Sequence, residues 1–139
     1  MPTICQPPDT AISEERVYVR NVHAPHAVRR FARALLVTWS LDHLIENTET
    51  VASELVTNAV QTASGDTIAV RIERSASAIC IKVWDDNPEL PTGSGLDANV
   101  DAERGRGLMI TAALSERWGC YRVAGAGKVV WAIIEEADR

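Results

Sequence analysis

The sequence predicts an α+β two-layer sandwich, with helices on one face of a mainly antiparallel mixed sheet. Three observations carry that expectation. Two long stretches place their apolar residues at helical spacing, and several shorter ones alternate apolar and polar residues. The short stretches also come in pairs joined by tight turns, which suits hairpins better than alternating strand–helix units.

Arg16 to Val22 (RVYVRNV) alternates and reads as a half-buried strand. Pro25 then stands where a helix can start, because its fixed φ suits the first turn. Val28, Phe31, Ala32, Leu35 and Trp39 follow at helical spacing, with Arg29, Arg30 and Arg33 on the other side. A second helix is expected from about Asn47 to Ala63. Val51, Ala52, Leu55, Val56, Ala59 and Val60 make its apolar half, and Glu54, Thr57, Asn58 and Gln61 gather opposite. After Gly65-Asp66, strands Thr67 to Arg74 and Ala78 to Trp84 form a hairpin around Ser75-Ala76-Ser77, with Ile68, Val70, Ile72 and Ile79, Ile81, Val83 on its core face.

Asp85 to Arg104 is irregular and rich in acids, glycine and proline, as lids and binding loops are. Gly105 to Ser115 is expected to be a third helix. Trp118 to Val123 and Lys128 to Glu135 form a last hairpin around Gly125-Ala126-Gly127. The strand VVWAII is apolar on both faces, which places it inside the sheet. Residues 1–15 are expected to be a flexible tail and 16–139 one domain. Trp39, Trp84, Trp118 and Trp131 read as core residues.

The 139 residues carry a formal net charge of −5. That balance speaks against direct nucleic-acid binding, where basic side chains supply most of the affinity. Cys5, Cys80 and Cys120 lie far apart, so neither a zinc site nor a disulfide framework is expected. His23, His26 and His43 have no partner ligands at metal spacing. There is no secretory leader pattern and no apolar run near the roughly 18 residues of a membrane span. A cytoplasmic location without membrane contact is the expectation.

Three segments carry candidate chemistry. In ELVTNAV, Glu54 and Asn58 are four residues apart and project from adjacent turns. A carboxylate there could deprotonate a hydroxyl or water, and an amide oxygen suits magnesium. The alternative is that both face solvent on an amphipathic helix. In VWDDNPELP, a core strand runs directly into two aspartates, and an aspartate at a sheet mouth can accept from a base amino group. The alternative is an acid-solvated strand end. In ERGRGLMI, Gly105 and Gly107 open a helix whose amides could approach phosphate oxygens, with Arg104 and Arg106 adding charge. Two glycines one residue apart make only a partial dinucleotide fingerprint, and no strand precedes them.

Taken together in this order, ELVTNA resembles the N box of the GHKL ATPase superfamily, VWDDNP its first glycine-box region and GRGL its second. GKVVWAII resembles the closing strand of the anti-sigma-factor serine/threonine kinase branch. The segment from about Val17 to Glu135 is similar to the small stand-alone actinobacterial members. The resemblance implies a Bergerat-type ATP-binding fold with ATP and Mg2+ as cofactors. It implies Glu54 as general base on an acceptor serine, Asn58 as magnesium ligand and Asp85 as partner of the adenine amino group. Gly105, Gly107 and Leu108 would line the phosphate end, with Arg104 or Arg106 near the terminal phosphates. The implied partners are a sigma factor and an anti-anti-sigma antagonist, and a homodimer through the face near the first helix.

Two positions depart from that pattern. Asp85-Asp86-Asn87-Pro88 stands where D-x-G-x-G would, and Glu103 stands near the place of an arginine, with Arg104 one step along. These departures favour an alternative reading, a non-catalytic module of the same fold that sequesters a partner with weak or no ATP binding. The intact Glu54 and Asn58 favour the kinase.

Overall fold

Alternating β-branched residues in the central hairpin dictate the middle of the fold, and the computed structural model describes residues 12–75, 77–90 and 109–135. Strands β1 (Ile12–Val19), β2 (Thr67–Arg74), β3 (Ala78–Asp85), β4 (Arg117–Arg122) and β5 (Lys128–Glu135) form one sheet in the order β1-β2-β3-β5-β4. Every pairing is antiparallel, where the sequence allowed a mixed sheet. β5 lies between β3 and β4, which explains why it is apolar on both faces.

Strand β1 starts at Ile12, four positions before the expected start, because Ile12 to Glu15 pair with Arg74 to Arg71 along the whole of β2. It ends at Val19 rather than Val22. Residues 20–23 instead turn the chain, with the Asn21 side-chain oxygen accepting from the His23 amide at 2.8 Å.

Helix α1 (Ala24–Thr38) has proline in its first turn, as its sequence suggested. It buries Ala24, Val28, Phe31, Ala32 and Leu36. The Arg16 guanidinium lies 4.7 Å from the Phe31 ring centroid, tying β1 to this helix by a cation–π contact. A short 3-10 turn (Asp42–Leu44) leads into α2 (Ile45–Thr62), which starts two residues earlier than its periodicity indicated. Arg33 and Glu49 join the two helices in a bidentate pair at 2.8 and 3.1 Å. Residues 109–114 are helical, and the rest of the expected third helix lies outside the described residues.

Helix α2 packs on the face formed by Ile68, Val70, Ile72, Ile79, Ile81, Val83, Val130, Ala132 and Ile134, all buried, and α1 packs against α2 in the same core. Each such side chain contributes about 1.5–3 kcal/mol relative to its exposed state, so this seam is the main source of stability. The opposite face carries a smaller cluster of Cys80, Val129, Trp131 and Ile133. Trp118 and Trp131 are core residues as expected, while Trp39 and Trp84 are half-buried. No described helix is long and apolar enough to cross a membrane.

Candidate functional site

The α2 face that holds Glu54 and Asn58 continues the seam that buries Leu55 and Ala59. Asn58 is itself buried, at 7% exposure, and Glu54 is half-buried. A solvated helix face therefore does not describe Asn58. Neither polar atom of its side chain is among the buried atoms left without a hydrogen-bond partner. Among the described residues no cluster of three or more His, Cys, Asp or Glu side chains could hold a metal ion. An Asn58 oxygen would therefore have to share magnesium with phosphate and water oxygens.

At the end of α2 the chain meets the end of β3. Asp85, the last residue of β3, is 1% exposed and points to the helix side of the sheet. Lys128, also 1% exposed, is its direct cross-strand partner in β5. The Lys128 ammonium donates to Asp85 Oδ1 at 3.0 Å and lies 3.0 Å from Oδ2. The Asn87 amide donates to Oδ1 at 2.8 Å, and the Thr62 hydroxyl to Oδ2 at 3.2 Å. Lys128 also reaches the Asn87 carbonyl at 3.1 Å and the Thr62 hydroxyl at 3.4 Å. Both oxygens of the carboxylate and all three ammonium protons thus have partners inside the protein.

Asp86 has a different task. Its Oδ1 accepts from the Ser64 amide at 2.8 Å, just beyond α2. A Cβ on Gly65 would come within 2.7 Å of Asp86 Oδ2, so the turn after α2 is fitted to this carboxylate. The Asn87 amide nitrogen Nδ2 donates to the Thr62 carbonyl at 3.0 Å. Three consecutive residues, Asp85, Asp86 and Asn87, therefore fasten the β3 exit to the end of α2.

The β4–β5 hairpin closes the other side. Gly127 has φ +92°, and a Cβ there would lie 2.0 Å from the Asp85 carbonyl oxygen. Only glycine lets the hairpin come close enough for Lys128 to reach Asp85. The Trp84 indole N–H donates to the Ala126 carbonyl, and Arg122 Nε donates to the Pro88 carbonyl at 3.1 Å. Trp84, Asp86, Pro88, Arg122 and residues 123–127 line a groove of about 450 Å³ on this side.

On the outer face, Glu73 is buried between Arg71 and Lys82, its Oε2 at 3.2 and 3.0 Å from their nitrogens. Cys80 sits beside them. Burial, and next the Glu73 carboxylate, push its thiol up to about 12. Such a thiol is a packed apolar group and no nucleophile at neutral pH.

The structure thus brings Glu54 and Asn58 onto one helix, with Asp85 beyond its end. Arg104, Gly105, Arg106, Gly107 and Leu108 lie outside the described residues. Thr62, Asn87, Gly127 and Lys128 were not singled out from sequence. The one available signal was a lysine heading an otherwise apolar strand, KVVWAIIE. For an ATP ligand the fit differs between its two ends. The Asn58 amide suits the phosphate and magnesium end, whereas Asp85 is already engaged by Lys128, Asn87 and Thr62.

An antiparallel five-stranded sheet backed by helices, with an acid–amide pair on the second helix, defines an α+β two-layer class of domain. Residues 20–134 match the family of the histidine kinase-like ATPase domain, and the chain belongs to that family. The architecture accords with the GHKL-type ATPase fold. ATP binding, typically with magnesium, and a regulatory role are what this membership supports. No curated protein matches the chain.

Proposed function

We propose that the chain is an ATP-dependent regulatory protein of the anti-sigma-factor kinase kind. It binds a sigma factor and phosphorylates a serine of an anti-anti-sigma antagonist. The observation that carries this reading is the pairing of Glu54 and Asn58 on one face of α2, with Asn58 buried at 7% exposure. In this reading Asn58 would hold magnesium through its amide oxygen, and bound ATP would supply the transferred phosphoryl group. Glu54, one turn earlier, takes the proton from the acceptor serine hydroxyl. Half-burial leaves that carboxylate within reach of a hydroxyl arriving from solvent. The remaining contribution is positioning, as is usual in phosphoryl transfer.

The test uses labelled ATP, a serine-bearing antagonist and the Glu54→Gln variant. The variant is expected to keep ATP binding and to lose transfer by roughly 100-fold or more, the range of a general base. Full transfer by Glu54→Gln removes Glu54 from the role. One observation favours a second reading, a partner-sequestering module with weak or no ATP binding: Asp85 is fully engaged by Lys128, Asn87 and Thr62. Absence of transfer by the wild type, with a sigma factor still bound, selects that reading.

A further inference from the structure

A carboxylate that reads a base amino group needs a free lone pair at a surface the base can touch. Asp85 has no such surface: it is 1% exposed, its Oδ1 accepts from Lys128 and the Asn87 amide, and its Oδ2 accepts from Thr62 and lies 3.0 Å from the same ammonium. The strand register makes this arrangement obligatory. Asp85 and Lys128 are opposite each other in the β3–β5 ladder, and both project to the helix side. Gly127, lacking a side chain, lets the two backbones meet at a distance that any Cβ would forbid. Lys128 has no other carboxylate within ion-pair distance among the described residues, so Asp85 is its sole counter-charge.

We propose that Lys128 is a specificity-determining residue, which closes Asp85 into a buried ion pair so that a nucleotide is held without a readout of its base amino group. The proposal rests on the nucleotide-binding reading above. It assigns the ligand class as nucleoside triphosphates, chosen by phosphate and metal and not by the substituent at purine carbon 6. A base seeking Asp85 would have to displace an ammonium whose three protons are all satisfied there. Breaking one side of such a pair strands the other charge out of water.

The experiment is calorimetric titration of the wild-type chain with magnesium ATP and with magnesium purine riboside triphosphate, which lacks only the 6-amino group. The two are expected to bind within about fivefold of each other. A site built to pair that amino group would instead reject the analogue by orders of magnitude. A preference for ATP above about fivefold overturns the proposal while leaving nucleotide binding intact. Binding of neither triphosphate overturns both the proposal and the nucleotide reading on which it stands.

A second arm needs no nucleotide. Lys128→Met and Asp85→Asn are each expected to lower the melting temperature by about 10–20 °C, since each leaves a buried partner unpaired. Asp85→Leu combined with Lys128→Met should lose less than the two single losses added together. Unchanged melting in both single variants overturns the closed pair, whatever the titrations show. Failure of either variant to fold counts as the expected loss, and the wild-type titration then decides the specificity role.

Discussion

Two glycines in the β4–β5 turn have left-handed backbones, yet they should respond very differently to alanine. Gly125 has φ +69° with nothing within 4 Å of an added Cβ. Gly127 has φ +92°, and its added Cβ would meet the Asp85 carbonyl oxygen at 2.0 Å and the Asp86 Cα at 2.7 Å. Both substitutions carry the left-handed penalty of about 1–2 kcal/mol. Gly127→Ala adds a clash with backbone that cannot rotate away, so β5 must separate from the end of β3. Overpacking of that kind costs about 1–3 kcal/mol more, and the displaced Lys128–Asp85 pair raises the total to about 3–5 kcal/mol. For a domain of this size, thermal melts followed by circular dichroism should fall by about 4–8 °C for Gly125→Ala and about 10–20 °C for Gly127→Ala. Equal losses in the two variants would refute the argument, because they would mean that conformation alone, and not the close approach to Asp85, sets the requirement for glycine.

Cys80 should resist alkylation by iodoacetamide at pH 8 in the folded protein and react once the protein is unfolded. Labelling at the rate of a free thiol in the native state contradicts its burial. The same group makes the fold sensitive to alkali. Its folded value, about 12, lies above the ordinary 9.0, so its contribution is complete below pH 9 and is lost as pH rises toward 12. Tyr18 and Tyr121, both raised chiefly by burial, act in the same direction. Urea midpoints measured from pH 8 to pH 11 should fall steadily, and Cys80→Val should fall less. Arg33→Ala should cost about 1 kcal/mol, a modest figure because the guanidinium is 60% exposed and screened by solvent. That loss should shrink in high salt, and a loss independent of salt would point to packing of the arginine stem instead.

The candidate site was only partly legible before the fold was known. Glu54 and Asn58 stood out because both lie on one helix, where a spacing of four fixes their neighbourhood without reference to anything distant. Their burial was not legible. Spacing on a polar half-wheel suggested solvent for Asn58, whereas the approach of the sheet leaves it only 7% exposed. Asp85 was visible as an acid at a strand end, but its state was not. Lys128 lies 43 residues away in sequence, and only the antiparallel register of β3 and β5 sets the two opposite each other. Asp86, the second acid of that strand end, is the residue that ties β3 to the amide after α2.

The sequence by itself determined which segments are helix and which are strand, because periodicity and turn residues are local properties of the chain. It determined, too, that β5 lies inside the sheet, since a strand apolar on both faces has to be covered on both. What the tertiary structure alone decided is which charges meet and which stay free. Lys128 could have been a solvated strand end and Asp85 an open acceptor. Among the described residues, burying them together makes each the other's only counter-charge, and this follows from strand register and from a glycine thin enough to permit it.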